Sequence, residues 1–223
     1  MNQTGVLKSI DNGASWTRIN NGLTDPTIDF LFVDPNNPDV VLAATEFGGM
    51  FRTADGGQTW SRVSPSAPVS SIISISAGIL AGTGRGIELS TDGGLTWTLI
   101  QATNSPVRCM ATGNGNIIAG LGGGDVIYKS SAGSTWLTVA TNPNFSVWDI
   151  TIDPVDPRIA FYIRAQGPGP LAVQRTTDSG TTWQTITPPT GIFFQAIAVR
   201  PSDRALLVAG QGMFYKSLDQ GTT

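Results

Sequence analysis

Aspartate carboxylates recur in this chain within one eight-residue pattern, and such carboxylates could act as general acids or bases or bind calcium. The pattern is Ser/Thr-x-Asp-x-Gly-x-Thr/Ser-Trp, with clear copies that begin at Ser9, Thr53, Ser90 and Thr176. A worn copy at 128–136 lacks the Asp, and the copy at 217–223 lacks the Trp. The copies recur roughly every 37 to 47 residues, which is the period of a repeat architecture. We therefore interpret the carboxylate as a structural device rather than a catalytic or calcium-binding group.

The pattern predicts a tight hairpin turn between two strands. Asp can accept hydrogen bonds from backbone N–H groups in the turn, Gly can adopt positive φ, and the Trp ring should be buried beside it. We expect the Trp to open the second strand of each hairpin. The residues assigned to these turns are Ser9, Asp11, Gly13, Trp16, Asp55, Gly57, Trp60, Asp92, Gly94, Trp97, Gly133, Trp136, Asp178, Gly180, Trp183, Asp219 and Gly221.

This pattern resembles the Asp-box, also called the BNR or bacterial neuraminidase repeat. Asp-boxes occur in sialidases, sortilin-type receptors, xyloglucan-cleaving glycoside hydrolases and photosystem II assembly factors. The resemblance covers essentially the whole chain and implies a β-propeller fold. It does not select a function, because these families do different things on one scaffold.

Strand-like runs between the turns predict four antiparallel strands in about 40 residues, which is a propeller blade. We expect an all-β fold with residues 1–223 as a single propeller domain. Either the ring closes with about five blades, or the chain is an incomplete arc of a larger propeller, which the interrupted copy at 217–223 favours. The expected blades are approximately 1–22 (partial), 23–64, 65–101, 102–141, 142–188 and 189–223 (partial).

The composition excludes several classes of site. The chain has no histidine, which excludes His-based acid–base chemistry and the usual zinc sites, and we expect no metal or cofactor. The net charge of −3 without a Lys/Arg cluster argues against a nucleic-acid partner. The one cysteine, Cys109, cannot form an internal disulfide, and we expect a buried small residue there rather than a nucleophile.

No apolar stretch is long enough to predict a membrane span, and the N-terminal residues do not resemble a signal peptide. We nevertheless expect an extracellular or cell-envelope location as part of a longer chain, whose signal would then lie outside this sequence.

Hairpin geometry predicts where a ligand would bind. The repeat turns share one end of the blades, and the loops between second and third strands lie at the other end, over the central channel. We expect ligand contacts at that second end, where the sequence also places Asp25, Gln211 and the loop 164–170. The candidate ligand-binding residues are Glu46, Phe47, Arg85, Asp125, Trp148, Asp149 and Arg164.

Two enzyme families provide tests of catalytic potential. Sialidases carry an Arg-Ile-Pro motif, three arginines and a tyrosine nucleophile, whereas here Arg18-Ile19 precedes Asn20 and the tyrosines fall in predicted strands. Xyloglucan-cleaving enzymes carry Thr-Asp-Ile-Gly-Gly, which residues 45–49 resemble with Glu46 in place of Asp. A glycosidase needs a carboxylate pair, so Glu46 would need Asp125 or Asp149 nearby.

These patterns favour a non-catalytic binding or scaffold propeller whose partner is a protein or a carbohydrate. Further blades of a longer chain, or a second copy, could complete it. The alternative is part of a sialidase-like or xyloglucanase-like glycoside hydrolase, with Glu46 as its weak catalytic candidate.

Overall fold

The computed structural model describes residues 4–46, 49–63, 68–129, 135–141, 144–165, 172–186, 194–210 and 212–222. All regular elements in these ranges are β-strands, and none of the ranges contains a helix that could cross a membrane. The strands are β1 (Leu7–Lys8), β2 (Thr17–Arg18), β3 (Ile28–Val33), β4 (Val41–Thr45), β5 (Gly49–Thr53), β6 (Ser61–Val63), β7 (Val69–Ile75), β8 (Gly78–Thr83), β9 (Gly86–Ser90), β10 (Thr98–Ala102), β11 (Val107–Gly113), β12 (Asn116–Leu121), β13 (Val126–Lys129), β14 (Leu137–Ala140), β15 (Ser146–Ile152), β16 (Ala160–Ala165), β17 (Ala172–Thr176), β18 (Gln184–Ile186), β19 (Ala196–Val199), β20 (Leu206–Gly210) and β21 (Met213–Ser217).

Four sheets have four strands each, and in every one the strands pair antiparallel in chain order. They are formed by β3–β6, β7–β10, β11–β14 and β15–β18, while β1–β2 form a two-stranded sheet and β19–β21 a three-stranded sheet. Sequential antiparallel sheets of this size are the blades of a β-propeller. The predicted all-β propeller fold is confirmed.

The start of each closing strand differs from the prediction by one residue. β2, β6, β10, β14 and β18 begin immediately after the Trp of the pattern rather than at it. At Trp60 the reason is visible, because its backbone N–H donates to the carbonyl of Asn21, 2.8 Å away and outside its own sheet. That residue therefore belongs to the turn and its contacts, and the ladder starts at Ser61.

The chain divides into two compact units, Met1–Thr103 and Asn104–Thr223. The first unit contains β1–β10 and the second contains β11–β21. A single domain over the whole chain stays a prediction, and each unit is described by itself below.

In the first unit, apolar side chains of neighbouring sheets form the cores. One core joins the sheet β3–β6 to the sheet β7–β10 and includes the buried residues Leu42, Met50 and Ile79. A second core joins the two-stranded sheet to β4 and β5, with Val6 against Phe51 and Trp60. The sheets are thus held face to face by burial of apolar surface.

In the second unit, a similar core lies between the sheets β11–β14 and β15–β18 and includes Ile118 and Tyr162. The next core, with Phe161 and Val208, joins β15–β18 to β19–β21. Cys109 is buried in the first of these cores, as predicted, and its burial raises the pKa of the thiol. A protonated, enclosed thiol is a packing group and not a nucleophile.

The first strand of every four-stranded sheet carries a β-bulge near its start. The pairing of β3, β7, β11 and β15 with the next strand skips one residue at the same relative position. The skipped residues are Asp29, Ser70, Arg108 and Trp148, and all four are exposed. A bulge re-aims a side chain out of the sheet, so these positions are suited to contact a ligand.

Candidate binding surface

The eight-residue patterns form the turns between the third and fourth strands, and we call them the repeat turns. In the turn at Thr53–Trp60, Thr53 Oγ1 donates to Asp55 Oδ1 at 2.6 Å and Thr59 Oγ1 donates to Asp55 Oδ2 at 2.6 Å. The backbone N–H of Thr59 also donates to Asp55 Oδ1, at 2.9 Å. These hydrogen bonds to the charged form hold the pKa of Asp55 well below its usual range, with the bond from Thr53 the largest cause.

Asp11, Asp92 and Asp178 have the same arrangement, with hydroxyl donors on both carboxylate oxygens. The pKa of Asp11 is lowered to about 2, chiefly by the hydrogen bond from the Ser15 side chain. Carboxylates engaged in this way act inside their own turns, in line with the structural role assigned from the sequence. Gly133 and the centre of the worn copy lie outside the described residues.

The glycine at the fifth position of the repeat turn lies against the preceding sheet at Gly57, Gly94, Gly180 and Gly221. Gly57 has φ of 95°, and a Cβ there would approach Ile19 Cδ1 to 2.2 Å. At Gly180, with φ of 86°, a Cβ would lie 2.8 Å from Val139 Cβ. Glycine is therefore required at these positions for two reasons, the left-handed backbone and the close contact.

The tryptophans extend this contact in two of the turns. Trp60 Nε1 donates to the Ile19 carbonyl at 2.6 Å, and Trp183 Nε1 donates to the Val139 carbonyl at 3.1 Å. In each case the acceptor belongs to the residue that also packs on the turn glycine. The repeat turns therefore join each of these sheets to the sheet before it.

A basic residue that was not predicted from the sequence makes contacts in the opposite direction, from one sheet to the repeat turn of the next sheet. Lys8 Nζ donates to the Gly56 carbonyl at 2.9 Å, and Arg52 Nε donates to the Gly93 carbonyl at 2.7 Å. Each cation comes directly before one repeat turn and contacts the next turn along the chain. The signal was present, since Lys or Arg precedes the first Ser or Thr in five of the six copies.

At the opposite end of the sheets in the first unit, the structure describes Glu46 and Arg85. Glu46 is exposed, and its backbone N–H donates to the Thr27 carbonyl at 3.0 Å, which fixes the start of the β4–β5 turn. Arg85 is exposed in the β8–β9 turn, where its N–H donates to Thr83 Oγ1 at 3.1 Å. Phe47, Gln211 and residues 166–170 lie outside the described residues, so their predicted roles stay predictions.

In the second unit, Trp148 and Arg108 come together. The Arg108 Cζ lies 5.8 Å from the centroid of the Trp148 ring, although the two residues belong to neighbouring sheets. Trp148 is 47% exposed. The side chain of Arg108 lies over the glycine turn between β12 and β13, with its Nε 3.5 Å from the position of a Cβ on Gly122.

A second pair of the same kind joins Phe145, directly before β15, to Arg164 on β16. Arg164 Cζ is 4.6 Å from the centroid of the Phe145 ring. Ser146, next to Phe145, donates to the carbonyl of Gly122 at 2.8 Å and so connects the start of β15 to the glycine turn. Arg108, Phe145, Trp148 and Arg164 are called the arginine–aromatic surface below.

Sequence reasoning found half of this surface. Trp148 and Arg164 were predicted, whereas Arg108 and Phe145 were not among the candidate residues. A register comparison would have found Arg108, because Val107-Arg108 and Val147-Trp148 occupy the same place in successive repeats. The bulge that exposes both positions is not visible in the hydrophobic pattern.

The acidic residues Asp149 and Asp125 differ in the hydrogen bonds that their side chains accept. Asp149 Oδ1 accepts from the Ile150 N–H at 2.9 Å, and Oδ2 accepts from the Ile197 N–H at 2.8 Å. Burial raises the pKa of Asp149, and its contacts favour a structural role that ties β15 to β19. Asp125 is half-buried at the end of the glycine turn, and its carbonyl accepts from the Leu121 N–H at 2.9 Å.

Taken together, the surface offers two aromatic rings and two guanidinium groups beside the glycine turn. Such a mixture of apolar faces and a few polar groups is typical of ligand sites. Within the described residues, no group of three His, Cys, Asp or Glu side chains could hold a metal ion. The arrangement is suited to binding a ligand and, in the described part of this unit, brings together no pair of free carboxylates.

Comparison with known sequences finds relatives but no family model that matches the chain. The chain is 26% identical over 205 residues to a xyloglucanase of Hypocrea jecorina, a match that covers 83% of this chain and 23% of the relative. It is 24% identical over 243 residues to a xyloglucanase of a Paenibacillus species, covering 83% of this chain and 24% of that protein. The chain therefore spans about a quarter of the length of these relatives.

Solved structures share the fold. The GH74 enzyme of Niastella koreensis superposes with a TM-score of 0.78 at 21% identity, over 97% of this chain and 41% of that chain. YCF48 bound to D1 peptide superposes with a TM-score of 0.67 at 19% identity, over 97% of this chain and 72% of that chain. At this level of identity the likeness concerns the fold alone, and the chain is accordingly a β-propeller polypeptide of about five to six blades.

Proposed function

We propose that this chain is a polysaccharide-binding portion of a glycoside-hydrolase-like protein, built from Asp-box blades. The observation that carries the proposal is the exposed ring of Trp148, held at a bulge of β15 beside Arg108. An aromatic ring that is exposed next to a second ring and two guanidinium groups combines an apolar face with polar groups, as ligand sites do. The apolar faces of sugar rings are suitable partners, because they pack flat on aromatic rings while their hydroxyl groups stay hydrogen-bonded.

Two further observations support the proposal. The repeat turns contain the hydroxyl–carboxylate hydrogen bonds, the left-handed glycine and the Trp that an Asp-box would need. The curated relatives are named xyloglucanases, and their substrate class is therefore the first to try. Since the chain spans only about a quarter of each relative, the activity of a whole protein of that kind is itself part of the proposal.

Binding can be tested with the purified chain and a panel of soluble polysaccharides that includes xyloglucan and an acidic polymer. We expect retardation in affinity electrophoresis with at least one polymer, and loss of that retardation in Trp148→Ala. The matched control is Trp16→Ala, which removes a tryptophan that is 60% exposed in the first repeat turn. Equal retardation of the Trp148→Ala variant and the unchanged chain would contradict the proposal.

A second candidate function, hydrolysis, is favoured by the names of the relatives and by Glu46. The Thr45 side chain is buried, and its Oγ1 donates to the Gly49 carbonyl at 3.0 Å, which closes the turn that carries the exposed Glu46 carboxylate. If this chain, within its natural protein, cleaves xyloglucan, Glu46→Gln should abolish the release of reducing ends and leave binding unchanged. Full turnover by that variant would remove Glu46 from the catalytic role.

A further inference from the structure

The arginines of the arginine–aromatic surface differ from Arg158 and Arg204, in the same unit, in whether they form ion pairs. Arg158 and Arg204 pair with Asp156 and Asp153, each with an N–O distance of 2.8 Å. Arg108 and Arg164 form no ion pair with any carboxylate among the described residues, and each lies against an aromatic ring instead. Their charge is therefore not neutralised by a described protein group.

No carboxylate among the described residues pairs with the donors of these two guanidinium groups. The Cζ atoms of Arg108 and Arg164 lie 5.8 Å and 4.6 Å from the centroids of the Trp148 and Phe145 rings, so each cation lies beside an aromatic ring. The free edge of such a group matches a carboxylate, which accepts two parallel hydrogen bonds from it. An arginine that lies beside an aromatic ring and forms no ion pair can therefore bind an anionic group on a ligand.

The two pairs are placed on opposite sides of one strand. Arg108 reaches Trp148 from β11, in the neighbouring sheet, while Arg164 lies on β16, the strand that pairs with β15. Phe145 and Trp148 are three residues apart on an extended chain, a rise of about 10 Å. The two rings are therefore close enough along the chain for one extended oligosaccharide to contact both arginine–aromatic pairs.

The acidic side chains near this surface, Asp149 and Asp125, form no ion pair with Arg108 or Arg164 among the described residues. Both carboxylate oxygens of Asp149 accept hydrogen bonds from backbone N–H groups. Asp125, at the end of the glycine turn, is half-buried and pairs with neither arginine among the described residues.

We propose that the arginine–aromatic surface selects acidic polysaccharides, whose uronic-acid carboxylates are bound by Arg108 and Arg164 while Trp148 packs on a sugar ring. This inference rests on the proposed polysaccharide binding and adds the class of the ligand to it. It differs from what the names of the relatives suggest, because xyloglucan has no carboxylate.

The test compares oligogalacturonate with the same oligosaccharide after reduction of its carboxyl groups, by titration calorimetry on the full chain. We expect the acidic form to bind about tenfold more tightly or better, since hydrogen bonds between charged groups exceed neutral ones. Arg108→Gln and Arg164→Gln should each reduce this preference, whereas Arg62→Gln, which removes an exposed arginine of the first unit, should not. Thermal melts of all variants check that they are folded.

The outcomes separate the two proposals. Equal affinity for the acidic and reduced forms, or tight binding of neutral xyloglucan alone, would overturn the selection of acidic ligands and leave polysaccharide binding intact. Absence of binding to every polymer in the panel would overturn both. A preference that survives both arginine substitutions would show that the carboxylate is bound elsewhere.

Discussion

Asp55 shows what a single carboxylate contributes to a repeat turn. Its two oxygens receive three hydrogen bonds, from the Thr53 hydroxyl and from the hydroxyl and N–H of Thr59. The Thr53 hydroxyl accepts in turn from the N–H of Gly57 at 3.0 Å. One ionised side chain thus organises donors across the whole turn, and the same residue types in the same order do so again at Asp92 and Asp178.

The substitution Asp55→Asn tests this role. An amide has one acceptor oxygen in place of two, so the Thr59 hydroxyl would meet an NH2 group. We expect the melting temperature at pH 7 to fall by several degrees, with a smaller fall for Asn36→Asp, which changes an exposed turn residue elsewhere. An unchanged melting temperature for Asp55→Asn would argue that the turn does not depend on its carboxylate.

At the scale of elements, the repeat turns act between sheets as well as within them. Gly180 and Trp183 both lie against Val139. A Cβ on Gly180 would overlap the Val139 side chain, and the indole N–H of Trp183 donates to the Val139 carbonyl. Trp183 also packs edge-on against Tyr162, with ring centroids 4.8 Å apart. The turn is therefore part of the core between two sheets, which explains why its sequence is so constant among the copies.

Two alanine substitutions separate backbone strain from crowding. Gly180 and Gly212 have similar positive φ values, 86° and 73°, but a Cβ at Gly212 would have no neighbour within 4 Å. Gly212→Ala should cost about 1–2 kcal/mol of unfolding free energy for the left-handed residue. Gly180→Ala should cost about 1–3 kcal/mol more, because its Cβ would overlap Val139.

Urea denaturation measures both free energies. The double variant Gly180→Ala/Val139→Ala supplies the control, since removing the Val139 methyl groups should relieve part of the added cost. Equal losses of unfolding free energy in Gly180→Ala and Gly212→Ala would show that crowding against Val139 adds nothing to the cost.

For the whole molecule, the carboxylates predict how stability depends on pH. Hydrogen bonds from the repeat turns lower the pKa values of Asp11, Asp55, Asp92 and Asp178. A group whose pKa is lower in the folded state stabilises the fold above its unfolded pKa and loses that contribution as the pH falls through the folded value. Asp149 has a raised pKa, so its effect on the pH dependence of stability has the opposite sign. It is one carboxylate against the four of the repeat turns.

We therefore expect the urea midpoint of the chain to stay constant from pH 7 to about pH 5, and to fall as the pH drops from about 4 toward 2. Equilibrium unfolding at pH 7, 5, 4 and 3 checks this, and Asp55→Asn should show a shallower fall. A midpoint that rose on acidification would contradict the sign of these shifts.

The repeat made the strands predictable, because each Asp-Gly turn marks the end of one strand and the start of the next. The bulges were not predictable in the same way. Nothing in the alternation of apolar and polar residues shows that Arg108 and Trp148 lie at β-bulges, where they have no partner residue on the next strand. Their exposure depends on these bulges. Contacts between side chains of different sheets, such as Lys8 with Gly56, also depend on packing that a single sequence does not reveal.

The contacts of the repeat turns have a direction along the chain, since Gly57, Gly180 and Gly221 each meet an aliphatic residue of the preceding sheet. Those partners, Ile19, Val139 and Ile186, stand at corresponding places near the ends of closing strands. A tandem duplication of one repeat would therefore bring its own attachment to its predecessor and offer the same attachment to its successor. This gives the architecture a means of growing by whole repeats during evolution, provided that the aliphatic residue and the glycine are inherited together.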